Sequence, residues 1–153
     1  MYPVLRNNVK LTVEPIGGQL LVVNENKQVE TYIFNVIGTE ILKLCNGKNT
    51  VDEITQKIAK KHDDRFEKLK PLVMKFLNKG KKKGHLLIYQ NKPSKNLVKG
   101  IVMGSTDYYT PLQAEIELTY NCNLKCKHCY IYGGEKLSEE ITTEDWKIIL
   151  YSL

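Results

Sequence analysis

Apolar and polar positions alternate from the start of the chain. Val9, Leu11 and Val13 share one face and Lys10, Thr12 and Glu14 the other, so 9–15 reads as a half-buried strand. Gly17-Gly18 signals a turn, and Gln19–Asn24 reads as a second strand. After the polar turn Glu25-Asn26-Lys27, residues 28–34 (Gln28, Val29, Glu30, Thr31, Tyr32, Ile33, Phe34) are rich in β-branched and aromatic side chains and read as a third. The three form an antiparallel meander, and one outer strand should keep a free edge. The period then changes to that of helices. Asn35 is suited to N-cap a helix carrying Ile37, Ile41, Leu42, Leu44 and a buried Cys45, closed by Gly47. Thr50 and Glu53 have capping-box spacing before Ile54 and Ile58, with the helix ending near His62. A third helix holds Leu69, Leu72, Val73, Phe76 and Leu77. Its start is placed near Glu67, because Pro71 is tolerated only in a first turn. Residues 85–89 are a last strand, the wing of a winged helix, and His62 and His85 read as surface or boundary positions.

Residues 91–111 are punctuated by Pro93, Ser94, Gly100, Gly104, Ser105 and Pro111 and read as a linker. Within it, only Leu97-Val98 and Ile101-Val102-Met103 could order on a partner surface. Leu112–Thr119 alternates again as a strand. A loop holding Cys122, Cys126 and Cys129 follows, and then a helix capped by Thr142 with Trp146, Ile149, Leu150 and Leu153 on its apolar stripe. The expected class is α+β. Residues 1–90 form a winged helix-turn-helix of three strands, three helices and a short wing, 91–111 a linker, and 112–153 one βα unit, which the resemblance given below makes the start of a partial (β/α) barrel.

Charge sharpens this division. The net charge of +6 resolves into +9 over residues 1–95 and −3 over 96–153. Residues 57–83 hold 11 basic side chains against 3 acidic ones, a surface suited to an acidic peptide. The cations are nearly all lysines, which give charge but little bidentate base reading, so no nucleic acid is expected. No transmembrane run or signal peptide is visible, so a cytoplasmic protein with no membrane partner is expected.

In a cytoplasmic setting clustered thiols mark a metal or redox site rather than disulfides. Spaced C-x3-C-x2-C, three thiolates can hold one corner of a four-iron cluster and leave one iron open. Zinc is the alternative. However, His128 sits between two ligands, where its ring would struggle to turn inward, and no second C-x2-C pair exists.

Two resemblances follow from these motifs. Ile116-Glu117-Leu118-Thr119-Tyr120-Asn121 leading into Cys122, Cys126 and Cys129 resembles the opening of a radical S-adenosylmethionine (SAM) enzyme. That resemblance implies a [4Fe–4S] cluster on the three cysteines and S-adenosyl-L-methionine on the open iron, with His128 and Tyr130 beside the cofactor. It also implies reduction by a flavodoxin or ferredoxin, and a 5′-deoxyadenosyl radical that abstracts hydrogen. Gly133-Gly134-Glu135 has the letters of the family's cofactor-amine motif. It comes only four residues after Cys129, too early, and reads as the loop into the helix.

The first 90 residues resemble the PqqD-like recognition element of ribosomal peptide maturases. The matching text is the meander, then residues 38–47 (Gly38 to Gly47), then Thr50-Val51-Asp52-Glu53-Ile54. The resemblance implies that the leader of a precursor peptide adds as a strand to residues 28–34, its apolar side chains entering a groove beside Leu72, Phe76 and Lys79. Gly80 departs from that pattern, standing where an apolar residue usually ends the third helix, so looser packing is expected there.

Together the resemblances imply the amino-terminal part of a radical SAM peptide maturase that forms a thioether, carbon–carbon or similar cross-link. No catalytic residue is identified in these 153 residues, which are expected to bind peptide without turnover. The alternative is a stand-alone winged-helix module, binding peptide or DNA, with zinc on its cysteine loop.

Overall fold

A computed structural model describes residues 1–109 and 116–152. The chain divides into two units, 1–110 and 111–153. In the first, the element order is β1 (Tyr2–Leu5), β2 (Val9–Glu14), β3 (Gly17–Val23), β4 (Val29–Phe34), α1 (Val36–Leu44), α2 (Val51–Lys61), α3 (Phe66–Lys82), β5 (Leu86–Tyr89) and β6 (Ile101–Gly104). The second holds α4 (Thr143–Ser152). The fold class is α+β, as the change of period indicates.

The meander forms in the expected order, with Leu11 opposite Leu20 and Leu20 opposite Tyr32. The sheet is larger than three strands, however. β6 lies parallel to β2 and gives the order β4-β3-β2-β6. Part of the stretch read as linker is thus pinned to the first unit, with Gly100 N–H on Leu5 O (3.0 Å) and Ser105 N–H on Val13 O (3.1 Å). The reason is the edge itself. β2 would otherwise present an unpaired row of backbone groups, and the nearest β-branched run covers it. β1 also escaped the sequence reading. It pairs with β5, Val4 opposite Leu87, and converts the lone wing into a two-stranded sheet. A single strand at that place could not satisfy its own backbone groups.

Leu11, Leu20, Leu42, Ile54, Ile58, Leu77 and Leu86 are fully buried in one core. It lies where the three helices cover one face of the sheet. Asn35 caps α1 by accepting from Gly38 N–H, and Thr50 and Glu53 close the capping box of α2. α3 begins at Phe66, so Pro71 stands in its second turn rather than its first. Gly80 is no gap. A Cβ there would lie 3.0 Å from Leu86 Cδ2, so the missing side chain is what lets β5 close on α3.

In the second unit, Thr142 caps α4 through reciprocal bonds with Asp145 (3.2 Å each between backbone N–H and side chain). Trp146 Nε1–H donates to Leu118 O at 3.3 Å. Residues 112–115 of the expected strand at 112–119 lie outside the described residues, as does Leu153 of the apolar stripe. Residues 116–119 form no strand, since no other strand among the described residues runs beside them to complete a ladder. Among the described residues, no helix is long and apolar enough to cross a membrane.

Candidate functional site

The first site is an edge and the groove beside it. β4 ends the sheet order, and the direction of its backbone groups follows from two bonds. Asn24 N–H donates to Gln28 O (2.9 Å), toward β4, and Val23 N–H donates to Asn8 O (3.0 Å), toward β2. Antiparallel ladders alternate. Leu20 and Val22 therefore point their backbone groups at β4 and are met by Tyr32 and Glu30. Val29, Thr31 and Ile33 direct their N–H and C=O groups away from β3, toward the open edge. Ile33 is 81% exposed and Val29 62%, on a strand without proline or lysine to discourage pairing.

Tyr32 and Phe34 turn to the other face, against the helices. With Ile33, Leu42, Phe76, Lys79, Gly80, Lys83 and His85 they line a groove of about 230 Å³. Phe34 meets Phe76 edge to face, with centroids 5.7 Å apart. Lys83 Nζ stands 4.4 Å from the centroid of the Tyr32 ring, and the His85 ring lies 4.5 Å from it on centroids. Tyr32 O–H donates to Glu30 at 2.5 Å. That bond, with a second from Asn24, holds the Glu30 carboxyl below its usual range, and it raises the Tyr32 phenol.

Of the residues expected on the leader, the structure gathers Tyr32, Ile33, Phe34, Phe76 and Lys79 around one groove. Gln28, Val29, Glu30 and Thr31 continue β4 and its hairpin without lining it. Leu72 is 56% exposed and does not line it either. Lys83 and His85 were missed. His85 is a correction to the boundary reading, being 3% exposed with no hydrogen-bond partner for Nε2. Desolvation first, and then the Lys83 charge, lowers its pKa, so the ring is neutral near pH 7. No periodicity could flag it, because it sits in the turn between α3 and β5. A larger cavity of about 280 Å³ opens beside α1 and α2. Of its two carboxylates, Glu14 and Glu40, the second is already held by Lys61 (2.5 Å) and His62 (2.6 Å).

The second site is the cysteine loop. Cys122, Cys126 and Cys129 are unpaired thiols, partly or fully exposed, whereas Cys45 is buried and its thiol pKa is pushed up by desolvation. Gly134 folds back on the loop's start, donating to Tyr120 O (2.8 Å) and accepting from Cys122 N–H (3.3 Å). Gly133 N–H donates to Cys129 Sγ at 3.3 Å. Gly133-Gly134 thus braces the loop from within. Among the described residues no three His, Cys, Asp or Glu side chains are gathered closely enough to hold a metal ion. The donor chemistry still suits an iron–sulfur cluster: three thiols on one short loop, one of them already accepting a hydrogen bond from a backbone N–H. Metal sites commonly assemble only as the metal binds. His128 and Tyr130 flank the third cysteine, and Tyr130 is 83% exposed.

Residues 20–86, which contain β4, the groove and His85, match the family described as Coenzyme PQQ synthesis protein D (PqqD). These residues are similar to PqqD. Two relatives come from Bacillus subtilis (strain 168). The antilisterial bacteriocin subtilosin biosynthesis protein AlbA is 26% identical over 152 residues, covering 96% of this chain and 33% of that protein. The sporulation killing factor maturation protein SkfB is 38% identical over 52 residues, covering 34% of this chain and 13% of that protein. The chain thus spans a third or less of these relatives' length. No solved structure is matched. That likeness does not favour the reading of the chain as a stand-alone DNA-binding module.

Proposed function

We propose that the chain is the amino-terminal part of a radical SAM maturase acting on a ribosomally made peptide. Residues 1–90 capture the leader, 91–111 connect, and 112–153 begin the catalytic barrel. The observation that carries this reading is the open edge of β4 beside an apolar groove, inside the segment that matches PqqD. An extended leader adds to Val29, Thr31 and Ile33 through its backbone and buries alternate side chains against Phe34 and Phe76. Backbone bonds give affinity and the groove gives selectivity. The likeness to a bacteriocin biosynthesis protein along nearly the whole chain supports a peptide substrate.

Cys122, Cys126 and Cys129 would hold a [4Fe–4S] cluster, with His128 and Tyr130 beside S-adenosyl-L-methionine. When bound, these groups supply one-electron chemistry for hydrogen abstraction, with flavodoxin or ferredoxin as reductant and a thioether or carbon–carbon cross-link as product. The chain's own part is to supply three thiols on one loop, brace that loop through Gly133-Gly134 and present the peptide.

Anaerobic reconstitution with iron and sulfide tests the cysteine loop. Visible charge-transfer absorbance is expected, and it should disappear in Cys122→Ala, Cys126→Ala and Cys129→Ala but persist in Cys45→Ala. One tightly held zinc with no such absorbance would refute the cluster assignment. Titration with the peptide product of a neighbouring short reading frame tests the groove independently.

A further inference from the structure

The groove is not chemically uniform along β4. Three β4 residues, two apart, face the helices: Phe34, Tyr32 and Glu30. At Phe34 the surroundings are apolar, formed by Phe76 and Leu42. At Tyr32 they are cationic. Lys83 stands over the ring, Lys79 lies one helical turn before Lys83 on α3, and the buried His85 carries an unpartnered Nε2. No carboxylate lines the groove. Glu30 itself is an ionised carboxylate, held by Tyr32 O–H and Asn24 with Arg6, Lys82 and Lys83 around it.

An added strand repeats this spacing, because side chains opposite each other in a ladder lie on the same face. Resting on the reading of the groove as a leader site, we infer that it selects an extended peptide with a large apolar side chain opposite Phe34 and a carboxylate opposite Tyr32. In antiparallel pairing, the more stable geometry per residue, the peptide reads apolar, any residue, acidic. The carboxylate meets Lys83 and Lys79 at the mouth of a partly desolvated groove, where opposite charge fixes register more than it adds affinity. The apolar anchor alone would allow the strand to slip by two residues, and the charge pair prevents this.

Selection of a random heptapeptide display library on the 153-residue chain tests the inference. The expected result is enrichment of an acidic residue two places after a large apolar one. Lys83→Glu should replace that acid by lysine. Lys60→Glu, the same charge change at an exposed α2 residue that lines neither the groove nor the hollow around Glu30, should leave it in place. Re-synthesised peptides should lose about three- to tenfold in affinity for Lys83→Glu and regain it when their acid becomes lysine. Apolar peptides without acid preference, still weakened by Ile33→Pro, would overturn the charge code while leaving the leader groove intact. Selected peptides indifferent to both Ile33→Pro and Phe76→Leu, or no selected peptide at all, would overturn the groove reading and the code with it.

Discussion

Proline at position 33 separates pairing with a guest strand from folding of the domain. Ile33 is 81% exposed, and its N–H points to the open edge, not to β3. Ile33→Pro therefore removes a donor that the fold does not use, and folding stability should fall by no more than about 1 kcal/mol, since proline is tolerated on edge strands. For a bound peptide the same change deletes one of three edge donors, the others being Val29 and Thr31. At about 1 kcal/mol net per hydrogen bond, affinity drops roughly fivefold. Thr31→Pro with Ile33→Pro should cost roughly 25-fold if the two bonds add. Tyr32→Pro is the contrast. Its N–H faces Leu20 across the ladder, so the loss falls on folding and leaves a buried acceptor unmet, at about 1–3 kcal/mol. Fluorescence anisotropy with a labelled peptide and thermal melts by circular dichroism read the two effects apart. An Ile33→Pro protein with a native melt and unchanged peptide affinity would refute strand addition at β4.

Gly17→Ala should destabilise by more than about 2 kcal/mol in denaturant titration, because Gly17 has φ +145° and a Cβ would lie 2.1 Å from Phe34 O, the carbonyl that ends β4. Thr50→Ala should cost about 1 kcal/mol by loss of the α2 cap, where Thr50 Oγ1 accepts from Glu53 N–H at 3.1 Å. Glu40 makes stability pH-dependent. Burial alone would raise its carboxyl, but bonds from Lys61 and His62 outweigh this and hold it below the ordinary 4.5. Its contribution is thus complete above that value and is lost as pH falls through the lowered one. Glu40→Gln should flatten this acid limb in melts between pH 3 and 6 while lowering stability near neutrality by about 1–2 kcal/mol.

The meander, the two capped helices, the apolar stripe of α3 and the cysteine spacing were legible in the residues themselves. Each is a local matter: alternation of period two, a side chain that caps its own helix, or ligands on one short loop. Phe76 and Lys79 came from the family resemblance alone, since helical spacing says which residues share a face but not that the face lies beside β4. The rest depends on pairing between distant segments. Tyr2–Leu5 is too short to declare itself a strand until β5 lies beside it. Ile101–Gly104 reads as linker until the edge of β2 offers it a ladder. Gly80 looks like a weak point until Leu86 fills the space above it. His85 is an ordinary polar residue in a turn until Tyr32 and Lys83 close around it. By itself the sequence determined which elements form and which atoms could carry chemistry, because propensity, capping and ligand type act within a few residues. The tertiary structure decided which edge stays open and how charge is distributed along its groove, because burial and backbone pairing are settled only when remote strands meet.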